Sequence, residues 1–448
     1  MFKGSETEMK LVHGVAGVLL ASTTLGIAAP AGAVDVDFFR FFGDCADEYN
    51  NQTDVSAAIG ECGIIQTITN KFNAENGQDI TIDTQSVEWG PYYDLLSATY
   101  STGNIPDIAV MHRSVLPNFV SRNLVEPLGD DLEAAGVDLS DFIPAAAEAV
   151  TVDGTVYGLP MDLHTKLLHI NMDIMEEAGL VEDGKPILPT TPEEFLAQAQ
   201  QVKDRTGKLY FAMESQADSP YPVRLFLSWI WQQGGDVFSE DGSQVSIDTP
   251  EAHAAAELLQ SIYTGGFNNS AFDGAGAEQA FINGEAAILF NGTWVVNAYD
   301  DHAANPESPL ENYYVAPLPS LFGEDAVWSD THMWVIPTDP NRPEEEKQAA
   351  LAFLDFINDN NFDWSRTGHL TVRQSVLDSE EFQSLPHRDE YGSTADIARA
   401  VPMIQNQRGI QEDMATELSA IWLANGSVDD ALSNMQRRVE QAVRRGNR

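Results

Sequence analysis

Positive charge is what this sequence most conspicuously lacks: across 448 residues, 24 Lys+Arg stand against 69 Asp+Glu, a formal charge of −45. A surface this acidic repels phosphate backbones, which excludes nucleic acid as a partner, and anionic lipid headgroups repel it as well. The acidity reads as a solvated surface suited to a halophilic or marine setting, where salt screens the self-repulsion. Cysteine is nearly absent, with only Cys45 and Cys62. In an exported chain two cysteines default to one disulfide, here closing "DCADEYNNQTDVSAAIGEC"; zinc sites usually show tighter Cys and His spacing, so no metal site is expected. Long apolar runs are missing after Ala29, since nothing later approaches about 18 uninterrupted apolar residues.

Catalytic signatures are missing too. There is no G-x-S-x-G, H-E-x-x-H, C-x-x-C or calcium-loop pattern, so no catalytic residue and no cofactor is expected. "GLVEDGK" (Gly179 to Lys185) fits G-x-x-x-x-G-K, but Pro186 stands where Ser or Thr would meet magnesium, and the stretch trails a helix instead of leaving a strand. "DGAGAEQA" lacks the third glycine and the preceding strand of a dinucleotide turn. Acidic residues are too abundant for a glycosidase-type carboxylate pair to be located.

What is present begins with an export signal. After Met9-Lys10 the run Gly14 to Ala29 is apolar and rich in small residues, and Ala31-Gly32-Ala33 is an A-x-A site, so residues 1–33 read as a signal peptide cut after Ala33. Glu6 and Glu8 are atypical of such a leader, which leaves Met1 and Met9 as alternative starts. No Cys follows the apolar run, so no lipid anchor is indicated, and the expected location is the periplasm. Lys3 and Lys10 offset Glu6 and Glu8, so the mature chain keeps the whole −45.

Strand and helix signals then alternate. "VDVDFFRFF", "DITIDTQSV" and "PDIAVMH" read as strands; "CGIIQTITNKFNAEN" and "PYYDLLSATYSTGN" read as amphipathic helices. "TPEEFLAQAQQVKDRTG" carries helix-start chemistry, with Thr191 as N-cap, Pro192 at the first position and Glu194 at N3; "TPEAHAAAELLQSIYTGG" repeats it from Thr249. "PEEEKQAALAFLDFIND" and "VDDALSNMQRRVEQAV" are further helices. The alternation points to an α/β protein built on parallel, two-sided sheets. Tryptophans recur at the ends of these elements: Trp89, Trp229, Trp231, Trp294 after Asn291-Gly292, and Trp334 in "DTHMWVIP". Buried core is the ordinary fate of a Trp, but rings delivered to the carboxyl ends of strands can form a floor for a sugar.

Several stretches in order, "FNAENGQDITI", "DGTVYGLPMDLHTKLLHINMDIMEEAGL", "QQGGDVFSEDG", "AFINGEAAILFNGTW" and "TGHLTVRQSV", resemble the family 1 extracellular solute-binding proteins of ATP-driven importers, the sugar-binding, maltose-binding-protein-like group. The resemblance spans nearly the whole mature chain. It implies a two-lobed periplasmic-binding-protein fold of class II type, with the ligand cleft between lobes and hinge closure on binding. One lobe is expected from 34–162 with 330–373, the other from 163–329 with 374–448.

Carried over position by position, the resemblance implies a polar contact at Asp44 and a loop at His112 and Arg113, where Met111 replaces a stacking Trp of maltose-binding relatives. It implies further contacts at Asp162 and His164 after the crossover, stacking by Trp294 beside Asn291, a site near Tyr221, Arg224 or Trp231, and a hinge arginine at Arg373. Trp89, His332 and Trp334 complete the candidate lining. Local roles compete with these: Asp44 precedes Cys45 and suits a cap, and Arg113 and Arg373 have many carboxylates to pair with. The expected function is capture of a carbohydrate without chemistry, and its delivery by a monomer to permease subunits. An acidic or phosphorylated ligand, met by His112, Arg113, His164, Arg224 and Arg373, is the alternative. A secreted glycan-degrading enzyme is the alternative of another class.

Overall fold

A computed structural model describes residues 33–446; the export segment expected at 1–33 lies outside it except for Ala33. Nine strands make one sheet path: β1 (Val34–Arg40), β2 (Ile80–Ser86), β3 (Ile108–His112), β4 (Leu159–Asn171), β5 (Leu209–Ala212), β6 (Ala286–Gly292), β7 (Tyr313–Pro317), β8 (Val327–Val335) and β9 (Ala398–Arg399). The order is β2-β1-β3-β8-β4-β6-β5, with β7 on β4 and β9 on β8. The expectation of parallel sheets is corrected here. β1 pairs parallel with β2 and β3, and β6 with β5, but β8 is antiparallel to β3 and β4, and β6 and β7 are antiparallel to β4. Only the outer strands are joined by helical crossovers, which enforce parallel pairing; β4 and β8 instead run from one lobe into the other.

β4 is the main crossing element. All thirteen of its residues are buried. Its first half pairs with β8 and its second half, from Lys166, with β6 and β7. On either side of this crossing the apolar side chains form separate cores. One gathers mainly Val36 to Leu167 with Met333 to Val372, joined by Val296, Val315 and Tyr391; the other gathers Leu168 to Trp328 with Val401 to Val443, and a smaller third cluster gathers Ala212, Phe281, Leu289 and Tyr299. The chain is therefore two-lobed, with the crossing strands between.

The helices form where their local chemistry asks for them. Thr191 and Thr249 cap Pro192–Thr206 and Pro250–Thr264, each hydroxyl accepting the N–H three residues on. The last helix, Val428–Gly446, buries Val428, Ala431, Leu432, Met435, Val439 and Val443, a single stripe at three- and four-residue spacing. Asp429 and Asp430 open it and Arg444 and Arg445 close it, matching the helix dipole. Among the described residues no helix is long and apolar enough to cross a membrane.

Cys45 and Cys62 form the expected disulfide, with Cα atoms 6.1 Å apart. It ties the start of helix Gly60–Glu75 to the turn after β1, where Phe42 and Gly43 both take positive φ. Arg40 and Ser86 hold that turn from the other side, donating to the Gly43 carbonyl at 2.8 and 2.7 Å. A double Cys45→Ser/Cys62→Ser variant should lose about 3 kcal/mol in denaturant unfolding, the chain-entropy value for a loop of this size. An unchanged midpoint would show that the bridge constrains nothing the rest of the lobe does not already fix.

Candidate functional site

Between the lobes lies a cavity of about 320 Å³ that adjoins a second of about 630 Å³; Trp89, His112, Glu214 and Arg224 line both. The first lobe supplies Phe41 and Phe42 from the turn after β1, Glu61 from the first long helix, and Trp89. The second supplies Glu214, Tyr221, Arg224 and Trp294. The crossing strands supply the floor: His112 at the end of β3, His332 on β8 and His164 on β4.

Register builds that floor. His332 on β8 is paired with His112 on β3 and, on its other side, with Asp162 on β4, and His164 follows Asp162 by two residues on the same face. A register shift between His332 and Met333 adds a local irregularity at the site. The side chains form one hydrogen-bond chain. The Tyr93 hydroxyl accepts from the His112 backbone N–H at 2.8 Å and donates to its Nδ1 at 2.6 Å. His112 Nε2 meets His332 Nε2 at 3.1 Å, and His332 Nδ1 donates to Asp162 Oδ2 at 2.9 Å. His164 Nδ1 donates to the other oxygen of Asp162 at 3.1 Å, and Trp364 Nε1 donates to Oδ2 at 2.8 Å.

The electrostatics follow from burial and pairing. Burial alone would raise the Asp162 carboxyl, but His332, His369 and the hydrogen bonds from His164 and His332 hold it well below the usual range. Burial, then neighbouring His332, pushes His112 and His164 well down. Burial would lower His332, but Asp162, with Glu61 and Asp330, leaves it raised. Burial raises Glu214 as well.

Trp294 stands in a short 3-10 turn directly after β6. Asn291 and Gly292 both lie in β6, where Gly292 is paired with Lys166 and has an extended φ of −113°. The glycine is needed for room, because a Cβ there would collide with the Trp294 indole ring. Lys166 sits behind the wall, its Nζ 3.2 Å from the Tyr221 ring centre and 4.3 Å from that of Trp294, with no hydrogen-bond partner. Burial, then Arg224, pushes its amine well below the ordinary lysine value. His169 steadies the same strand end: Nε2 donates to the Gly292 carbonyl at 3.1 Å and Nδ1 accepts from the Tyr313 hydroxyl at 2.8 Å.

The sequence candidates divide accordingly. Trp89, His112, His164, Tyr221, Arg224, Trp294 and His332 come together around the cavity. Asp162 is fully buried beneath the histidines, with both oxygens already accepting hydrogen bonds, and is no free ligand contact. Asn291 is buried one layer back, accepting from the Tyr221 hydroxyl at 3.0 Å and donating to Glu278 at 3.0 Å. Asp44 is exposed and accepts the Ala46 N–H at 3.3 Å, the local role its place before Cys45 suggested. Trp231 is buried in the second lobe, its indole N–H on Asp236 at 3.2 Å. Trp334 is buried against Phe38 in the first lobe, because its β8 position faces the core. Arg113 bonds the Val401 carbonyl at 2.6 Å, and Arg373 is held by Asp141 at 2.7 Å and the Asn358 carbonyl at 2.8 Å. None of these seven lines the cavity.

Sequence reasoning missed Phe41, Phe42, Glu61 and Glu214 in the lining, and Tyr93, Lys166, Trp364 and His369 behind it. The aromatic pair at the end of "VDVDFFRFF" was the available signal for the first two. His369 joins both lobes: its Nε2 donates to Glu61 at 2.8 Å and its Nδ1 accepts from Thr293 at 3.1 Å. Arg408, also missed, reaches from helix Gln407–Leu423 of the second lobe across the cleft to the Gly90 carbonyl at 2.7 Å, with its guanidinium over the Trp89 ring.

Residues 67–390 match the family described as bacterial extracellular solute-binding protein. A binding protein of Brucella abortus is 22% identical over 96% of this chain and 98% of its own length. The arabinooligosaccharide-binding protein of Bacillus subtilis is 25% identical over 82% and 83%. Among solved structures, maltose-bound MalE3 of T. maritima superposes with a TM-score of 0.75 at 21% identity, covering 92% of this chain and 100% of that one. The two-lobed periplasmic-binding fold is thus shared.

Two outcomes test this reading. Gly292→Ala should displace the Trp294 ring, and so weaken ligand binding by about tenfold, about 1.4 kcal/mol, while the melting temperature moves little; calorimetry beside a thermal melt separates the two. His169 is held by burial from the ordinary 6.5 down to about 3. A depressed histidine is neutral in the folded chain but protonates when unfolded. Its contribution is therefore full above about pH 6.5 and is lost as pH falls from there toward 3. Melting curves across that window should show acid destabilisation in the parent that is shallower in His169→Gln; parallel curves would remove His169 from the account.

Proposed function

The chain belongs to the bacterial extracellular solute-binding proteins, and from that membership we propose that it captures a neutral carbohydrate in the cleft and hands it to the membrane subunits of an ATP-driven importer. The chemistry of the lining carries this reading. Trp89 and Trp294 offer ring faces from opposite lobes, suited to the C–H faces of a sugar, while Glu61, Glu88 and Glu214 offer acceptors for its hydroxyls. Those three carboxylates face a single guanidinium, Arg224, in the first cavity. The excess of negative charge opposes a uronate or a sugar phosphate. The second cavity leaves room beyond one ring, and the oligosaccharide named for the Bacillus subtilis relative supports a ligand of several units.

Capture then works by closure. The lobes turn about the crossing strands, and contacts such as Arg408 to Gly90 form only when the lobes meet. A ligand gripping one lobe alone would not shift that equilibrium; rings and carboxylates on both sides supply the differential contact. The ligand leaves unchanged. The protein acts as a monomer outside the cytoplasm, exported by the leader and cut after Ala33; β1 starts at the next residue, Val34. Its acidity keeps it soluble in salt.

Calorimetry with neutral mono- and oligosaccharides, uronates and sugar phosphates tests this directly. Neutral sugars should bind with little dependence on salt, and Trp294→Ala should cost at least about tenfold in affinity, about 1.4 kcal/mol, with the fold intact. Binding confined to anionic sugars and weakened steeply by salt would overturn the neutral assignment.

A further inference from the structure

The cleft floor holds a cluster that sugar stacking does not use. We infer that His112, His164 and His332 form a three-histidine site for a divalent transition-metal ion of the zinc class, with an open coordination position facing the cleft. One ligand nitrogen from each of the three lies within 4.8 Å of the others, and all three rings line the cavity. Their other ring nitrogens are already occupied. Asp162 takes Nδ1 of both His332 and His164, one on each oxygen, and Tyr93 takes Nδ1 of His112. A carboxylate or hydroxyl behind each metal-ligating imidazole fixes its orientation and leaves Nε2 as the donor, which is how histidine sites for metals are ordinarily supported.

The spacing suits such an ion. With Zn–N bonds of about 2.0–2.1 Å, neighbouring ligands in a tetrahedron lie about 3.3 Å apart, and His112 Nε2 and His332 Nε2 are 3.1 Å apart. His164, stacked on His332 with ring centres 4.1 Å apart, closes the trio by a small swing. Imidazole donors without thiolate suit zinc, copper or nickel over calcium or magnesium. The fourth position, bounded by the cavity, takes water or an oxygen of the cleft's ligand.

The test uses the full chain, stripped with a chelator and titrated with zinc chloride alone by calorimetry, followed by X-ray absorption on the zinc-loaded protein. One ion per chain is expected, with three imidazole nitrogens at about 2.0 Å. His164→Ala and His332→Ala should weaken zinc at least about 100-fold, and Tyr93→Phe, a positioning residue, about tenfold. His253→Ala, which removes a surface histidine beside Asp248 and Asp429, should leave affinity unchanged. No stoichiometric zinc, a carboxylate-dominated absorption spectrum, or affinity lost in His253→Ala and kept in His164→Ala would overturn the site. The absorption measurement needs no variant, so it decides the matter even where a histidine substitution fails to fold.

Discussion

The structure turns on one buried carboxylate. Asp162 has no exposed surface, and removing a charge from water costs several kcal/mol unless it is paired and hydrogen-bonded. Its oxygens are satisfied by His164 from its own strand, His332 from β8 and Trp364 from the short helix Asn361–Ser365. These partners lie 2, 170 and 202 residues away in the chain. The carboxylate therefore fixes how the crossing segments meet, and the cleft floor inherits that geometry.

A second constraint follows from the scarcity of cations. With 24 Lys+Arg against 69 Asp+Glu, the places where a positive group is buried are informative. Arg40 is nearly inaccessible and is used to shape the turn that carries Phe41 and Phe42 to the cleft, donating to the carbonyls of Phe41 and Gly43. Lys166 and Arg224 lie behind and beside the aromatic wall, over the rings of Tyr221, Trp294 and Trp328. Arg342 pairs with Asp107 and Glu126 near the base of the first lobe. Rings face the cleft because cations and amides fill the space at their backs.

The two lobes are joined by elements that are rigid along their length but meet the cleft only at their ends. β4 pairs with β8 as far as Thr165 and with β6 and β7 from Lys166 onward, so its partners change at Thr165 and Lys166. That point lies beside His164 and in register with Gly292. The junction between the lobes and the position of Trp294 are therefore joined through one short stretch of strand.

Much of this was legible locally. Caps at Thr191 and Thr249, the stripe of the final helix and the alternation of "DITIDTQSV" follow from propensities and periods that act within a few residues, and the elements stand where those signals put them. The Trp294 ring was legible from its place after Asn291-Gly292 at the end of an apolar element and from the family resemblance. The histidine floor was not. His112 and His332 are 220 residues apart, and only the register of β3, β8 and β4 brings them together. His332 and Trp334 stand two residues apart on β8 with the register shift after His332 between them; Trp334 packs against Phe38 while His332 lines the cleft. Composition and local pattern determined which elements form; non-local pairing decided which of their side chains share a site, because period-2 strands expose one face and bury the other only once their partners are known.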